Sequence, residues 1–187
     1  MPRKALLVYV SGAPGSGKTT LAEKLSKELY IPHVSSDLIH GGARLTLGKA
    51  NDRKRSLQEG FVPLLVVLAK SGISSVVDHV LQRNMSEEDI IAKIKPYAKI
   101  VYIHTKAKDP IDRFYKREVS RNDRGLVLDE SALDARRVFH KDNLSATNEP
   151  LDLGLPVLEV DTTDGYTPTF SEVVAFIENE YDKEMKL

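Results

Sequence analysis

Eight consecutive residues, Gly12-Ala13-Pro14-Gly15-Ser16-Gly17-Lys18-Thr19, complete a G-x-x-x-x-G-K-[ST] phosphate-binding loop. The spacing suits one task, wrapping the β- and γ-phosphates of a nucleotide in backbone N–H groups, and only glycine lets the chain come close enough. Lys18 is then expected to reach the β/γ-oxygens and the Thr19 hydroxyl to ligate Mg²⁺, while Gly12, Ala13, Pro14, Gly15, Ser16, Gly17 and Thr20 complete the nucleotide site. The apolar run from Ala5 to Val10 enters the loop and a helix-forming stretch leaves it. That strand, loop and helix order is the context the chemistry requires, so an NTP with Mg²⁺ is the expected ligand.

Phosphoryl transfer also needs a group that orients and deprotonates the acceptor, and cations that follow the moving charge. Asp37, after a short apolar run, is the candidate base; Ser35, Ser36 or Asp37 could instead cap a helix starting near Leu38. Asp78 ends the run Val76-Val77 and suits a carboxylate that holds Mg²⁺ through water, with a substrate-binding or turn role also open. Both carboxylates are expected to face the γ-phosphate. Arg113, Arg117, Arg121 and Arg124 recur at spacings of four, four and three, along one helical face. A lid covering about 117–131, with its tip at Asn122 to Asp129, would bring Arg121 and Arg124 to the transferred phosphoryl group and Arg117 onto adenine or a phosphate. The plainer reading is a solvated helix face partnered by Asp112 and Glu118. His40 could hydrogen-bond an acceptor and His79 could orient Asp78, although such histidines are more often ordinary satisfied polar residues. The basic stretch Lys49 to Arg55 could grip an anionic substrate or simply begin a solvated helix.

These residues must be positioned by strands that alternate with longer helical patterns, which predicts an α/β fold: a parallel sheet with helices on both faces. Five strands are expected, at Ala5–Val10, Ile31–Val34, Ile73–Val77, Lys99–His104 and Pro156–Val160. Helices are expected at Thr19–Tyr30, Asp52–Lys70 with a bend at Pro63, from a capping-box pattern at Ser86 to about Lys95, at Asp109–Ser120, at Glu130–Asn143 and at about Ser171–Asp182. Ligands of open parallel sheets sit at the carboxyl ends of the strands. The phosphate loop, Ser35-Ser36-Asp37, Asp78-His79, His104-Thr105 and Asp161-Thr162-Thr163 are therefore the positions that count.

Composition narrows the partners. The 187 residues, expected to form a single domain, carry 27 Lys plus Arg against 27 Asp plus Glu, so no global basic field argues for nucleic acid. There is no cysteine, which excludes disulfides, thiolate catalysis and Cys-based zinc sites. The first apolar run is too short for a signal or spanning segment, so a soluble cytoplasmic protein without membrane partners is the expectation. Spacing supplies no metal cluster beyond a nucleotide-borne Mg²⁺.

The loop Gly12–Thr19, Asp37, Asp78, the arginine-bearing segment and Val160-Asp161-Thr162-Thr163 together resemble the small-molecule P-loop kinases with a shikimate- and adenylate-kinase-like core. Within them the chain is similar to the chloramphenicol-phosphotransferase-like group, and the zeta-toxin kinases use a similar arrangement. The resemblance implies a three-layer kinase fold with a five-stranded parallel sheet, ATP and Mg²⁺ as cofactors, Asp161 and Thr162 beside the nucleotide, Asp37 as base, and transfer of the γ-phosphate to a hydroxyl of a small molecule. Departures limit the acceptor. Adenylate kinases would show Asp-Gly-aromatic-Pro-Arg after strand three, where this chain reads Asp78-His79-Val80-Leu81-Gln82-Arg83. Gluconate and other sugar-acid kinases compete more closely, because Asp37-Leu38-Ile39-His40 resembles their Asp-x-x-His, yet their Pro-Trp pair has no counterpart in a chain without tryptophan. Polynucleotide kinases would want arginine where His40 stands. A regulatory NTPase is the alternative of another class; there is no Asn-Lys-x-Asp guanine motif, and AAA-type ATPases normally need a second, helical domain. Neither the acceptor nor the oligomeric state follows from the residues.

Overall fold

The computed structural model describes residues 3–47, 53–120 and 130–183. Its centre is a five-stranded, all-parallel sheet: β1 Ala5–Gly12, β2 His33–Ser35, β3 Ser75–Asp78, β4 Ala98–Lys106 and β5 Val157–Asp161, in the order β2-β3-β1-β4-β5. Around it lie helices α1 Lys18–Leu29, α2 Ser36–Leu47, α3 Arg53–Arg55, α4 Val62–Lys70, α5 Ala92–Ile94, α6 Pro110–Ser120, α7 Glu130–Asp142, α8 Ser145–Asn148 and α9 Phe170–Asp182, with π-helical turns at Ser56–Phe61 and Glu87–Ile91.

β1 is buried along its whole length, as the middle strand of a parallel sheet covered on both faces must be. Its side chains alternate between two cores. Leu6, Val8 and Val10 meet Leu21, Ala22 and Leu25 of α1 and Val173 and Ile177 of α9. Ala5, Leu7 and Tyr9 face the other way, onto Val62, Leu65 and Ala69 of α4 and onto Ile90, Ile91 and Ile94. Each fully buried Leu or Val contributes about 1.5–3 kcal/mol of transfer free energy, so this double layer pins the end of β1, and with it the phosphate loop.

Several boundaries differ from the sequence expectation for identifiable reasons. Strand two begins at His33 rather than Ile31 because Tyr30, at φ 55°, and Ile31 terminate α1, with the Ile31 N–H donating to Ser26 O at 3.1 Å. Strand three loses Ile73 in the same way: Gly72 has φ 72°, its N–H donates to Ala69 O, and the Ile73 N–H donates to Leu68 O at 2.9 Å, closing a Schellman motif on α4. Pro63 does not interrupt its helix; a π turn precedes it and places it in the first turn of α4. The capping box expected at Ser86 does not form, since Ser86 Oγ accepts from the Gln82 N–H instead. A true box closes at Thr169, where Thr169 Oγ1 accepts from the Glu172 N–H and the Glu172 carboxylate accepts from the Thr169 N–H.

Candidate active site

The phosphate loop joins β1 to α1 with Gly12, Gly15 and Gly17 all at positive φ. Two of these glycines are required by their protein neighbours as much as by any phosphate. A Cβ on Gly12 would lie 2.1 Å from the Thr105 carbonyl oxygen, and one on Gly15 would lie 1.8 Å from that of Pro110. The loop is held by hydroxyls: Ser16 Oγ and Thr105 Oγ1 are 2.7 Å apart, Thr105 Oγ1 donates to Ser11 O at 3.0 Å, and Thr162 Oγ1 donates to Ser16 O at 2.9 Å. No side chain caps the N-terminus of α1, and its first turn carries no acidic residue. Its opening amides and the positive end of its dipole therefore remain available to an anion.

Lys18 folds back over this loop, its Nζ donating to Ala13 O at 2.7 Å. Burial lowers its pKa to about 8, against the opposing fields of Asp78 and Asp37, while Arg117 and Arg53 push the same way as burial. Four of the residues singled out from the sequence thus act on one ammonium group. Thr20 is exposed in the first turn of α1.

Asp78, at the end of β3, is 4% exposed. It accepts from Thr19 Oγ1 at 2.6 Å through Oδ2, and Oδ1 lies 2.9 Å from His33 Nε2. Burial raises its pKa, but hydrogen bonds from His33, Thr19 and Ser35 together outweigh burial and hold the carboxyl below its ordinary value. Of the two readings of His79, the plainer one fits: its Nδ1 pairs with Ser36 Oγ at 2.9 Å, and His33 rather than His79 holds Asp78. A hydroxyl and an ionised carboxylate side by side form the hard-oxygen donor set that suits Mg²⁺ beside nucleotide phosphates.

Asp37 lies in the first turn of α2, two-thirds exposed, and forms an ion pair with Arg53. It neither shares Asp78's burial nor caps its helix by the expected route, since α2 already begins at Ser36. Between α2, the π turn at Ser56–Phe61 and the segment after β3 lies a cavity of about 230 Å³. Ser36, His40, Arg53, His79 and Gln82 are among its polar lining residues, and Leu57, Phe61, Met85 and Ile90 supply apolar wall. Gln82, Met85 and Ile90 were invisible as site residues in the sequence, because nothing local to them signals a cavity.

His79, on the cavity wall, has its pKa lowered to about 4, by burial first and then by Arg53, with Lys18 adding to the effect and Asp37 and Asp78 opposing it. The unfolded chain, with histidine near 6.5, binds the proton that the folded state refuses between pH 6.5 and 4, so stability falls as pH falls through that window. At pH 5 the term is on the order of 2 kcal/mol. Urea unfolding at pH 7 and pH 5 is expected to show a smaller acid loss in His79→Gln than in the wild type; equal losses would show that His79 does not carry the effect.

On the β4–β5 side of the phosphate loop the arginine helix divides its roles. Arg113 donates to Thr162 O at 3.2 Å, so it belongs to the β5 loop and not to a lid row. Asp112 pairs across to Arg137 of α7 at 2.7 Å rather than along its own helix. Arg117 stacks over the Phe114 ring at 5.3 Å, within electrostatic reach of Lys18. Arg121, Arg124 and the lid tip lie outside the described residues. Asp161 accepts from the Thr163 N–H at 2.8 Å, and the Thr162 side chain braces the loop at Ser16. His104 is corrected: it is 1% exposed, bonded to Tyr102 Oη and Asn148 O, and belongs to the core and not to the ligand edge. Among the described residues no cluster of three His, Asp or Glu side chains suits a metal ion, and no helix is long and apolar enough to cross a membrane.

A family model described as an AAA domain matches residues 11–127, which is more than half of the chain and holds the phosphate loop, Asp37, Asp78 and the arginine helix. The chain belongs to this family of P-loop domains. Adenylate kinase 1 of Schistosoma mansoni is 39% identical over 79 residues, covering 40% of this chain and 40% of that enzyme. The match thus spans well under half the length of that curated relative. Among solved structures, a candidate kinase from Chloroflexus aurantiacus is similar with a TM-score of 0.72 and 22% identity, covering 95% of this chain and 99% of that one. A gluconokinase from Sinorhizobium meliloti is similar with a TM-score of 0.59 and 16% identity, covering 98% and 97%. At such identities these likenesses show the fold, which is that of the P-loop kinases. The word AAA stands beside an expectation against AAA-type ATPases. The two agree at the level of the P-loop core, which the family match covers.

Proposed function

We propose that the protein is an ATP-dependent phosphotransferase that moves the γ-phosphoryl group of ATP to a hydroxyl of a small molecule. The observation that carries this reading is the convergence of Lys18, the Thr19–Asp78 pair and Asp37 at the carboxyl ends of β1, β3 and β2, beside a cavity of about 230 Å³. The loop amides and the α1 N-terminus bind the phosphates, and Lys18 follows the charge onto the transferred group. Thr19 and Asp78 would hold Mg²⁺, which when bound neutralises phosphate charge. Asp37 orients the acceptor hydroxyl and takes its proton as that oxygen bonds to phosphorus and the bond to the departing ADP oxygen breaks. Arg117 adds positive charge on the phosphate side, Arg121 and Arg124 are assigned to the moving phosphoryl group, and Asp161 and Thr162 border the nucleotide.

A second reading, a nucleoside monophosphate as acceptor, draws on the identity to an adenylate kinase. It lacks support at the segment after β3, where Gln82, and no Asp-Gly-aromatic-Pro-Arg run, meets the cavity. The test is ADP release with Mg-ATP against a panel of sugars, sugar acids, nucleosides, hydroxylated antibiotics and AMP. Slow turnover alone and acceleration by one hydroxylated acceptor is the expected result. Acceleration by AMP alone would replace the acceptor class, and turnover indifferent to every acceptor would favour a regulatory NTPase.

A further inference from the structure

The following inference rests on the phosphotransferase reading and names its acceptor class. We propose that Arg53 is the specificity-determining residue of the acceptor site, and that it selects a hydroxylated small molecule bearing an anionic group, a carboxylate or a phosphate, whose capture releases Asp37.

Arg53 stands in two places at once: its guanidinium pairs with the Asp37 carboxylate, and its side chain lines the cavity together with Lys54. The pair is exposed, with 58% and 66% of the two side chains open to solvent. Exposed ion pairs are weak, so exchanging one carboxylate partner for another costs little. A ligand anion held in the cavity can take both prongs of the guanidinium fork, a stronger arrangement than the single contact to Asp37.

The remaining charges at the cavity favour the same occupant. Arg53 and Lys54 line the cavity, where Asp89 is the one carboxylate among the described lining residues. Ser36 occupies His79 Nδ1, which leaves Nε2 as the ring nitrogen available to a hydroxyl. The cavity, at about 230 Å³, lies below the usual range for drug-sized ligands and suits a compact polyol body.

The coupling follows from the shared guanidinium. While Arg53 holds Asp37, the carboxylate oxygen is engaged by the guanidinium and shielded from an acceptor hydroxyl. A neutral analogue leaves that pair in place, whereas an anionic acceptor draws Arg53 into the cavity and frees the base. The anion therefore raises the rate as well as the affinity.

Isothermal titration of the full chain, loaded with Mg²⁺ and a non-hydrolysable ATP analogue, separates the cases with three matched probes: sorbitol, gluconate and sorbitol 6-phosphate. Wild type is expected to bind one of the two anions at least about tenfold more tightly than sorbitol, and which one it prefers distinguishes carboxylate from phosphate. Arg53→Gln should lose about 10- to 100-fold of that anion's affinity and none of sorbitol's, with Arg53→Lys recovering part. Equal binding of all three probes, no saturable binding of either anion, or an unchanged preference in Arg53→Gln would each overturn the proposal. ADP release stimulated equally by sorbitol, gluconate and sorbitol 6-phosphate would overturn it and leave the phosphotransferase reading standing. Anion binding that depends on Arg53, with no acceptor accelerating ADP release, would keep the anion site and remove that reading.

Discussion

Lys18→Ala is expected to reduce phosphoryl transfer by ~10³-fold or more and to weaken ATP binding, while the fold persists. The ammonium group lies over the loop with its pKa lowered to about 8, chiefly by burial. At pH 8 it is therefore about half charged, and the arrival of ATP phosphates must raise its pKa. Mg-ATP binding at pH 8 is accordingly expected to take up about half a proton per site, read by titration calorimetry in buffers of different ionisation enthalpy. The uptake should shrink at pH 6.5, where Lys18 is already charged, and vanish in Lys18→Ala. Wild-type transfer in that variant would sink the phosphotransferase reading, and uptake surviving in it would assign the proton elsewhere.

Asp37→Asn is expected to lose ~10²- to 10⁴-fold in transfer while still binding Mg-ATP, since the amide keeps the shape and cannot accept the hydroxyl proton. The substitution also removes the charge that holds Arg53, so the variant isolates the base role from the pairing role when acceptor affinity is measured alongside rate. Asp78→Asn is expected to behave differently. Its carboxylate bonds Thr19 and His33 and is held ionised below its ordinary pKa, so its loss should shift the magnesium requirement upward. Magnesium titrations of both variants with an accelerating acceptor decide the assignment. A metal defect in Asp37→Asn with near-normal rate at saturating Mg²⁺ would reverse the two roles.

Much of this site is legible in local spacing. The phosphate loop is contiguous in the chain, and the backbone conformations it needs are set by three glycines and the strand and helix on either side. Asp37 and Asp78 could be picked out because each directly follows an apolar run, and in a parallel sheet that position lies at the ligand edge. The alternation of strands and helices likewise predicts the α/β architecture, because an apolar stripe of period 3.6 and a short apolar run answer different neighbours.

Other parts depended on which strands and turns become neighbours. His33 reaches Asp78 only because β2 lies beside β3, with Ser35 in register with Asp78 and His33 two residues earlier on the same face. Without the strand order, a histidine before Val34 carries no signal, whereas His79 next to Asp78 in the chain invites a role that Ser36 takes away. The boundary errors at Ile31 and Ile73 have a similar origin, since both residues are apolar and strand-like while their N–H groups close the preceding helix. His104 sits at a strand end, yet the register of β4 buries it against Tyr102 and Asn148. Arg53 and Asp37 are sixteen residues apart, and no periodicity relates them. By itself the sequence determined the phosphate loop and the layered α/β plan, because those rest on contiguous residues. The packing of α2 and the Ser56–Phe61 turn against the end of β3 decided the cavity and the pairing of Arg53, because contacts between distant segments obey burial and register rather than spacing along the chain.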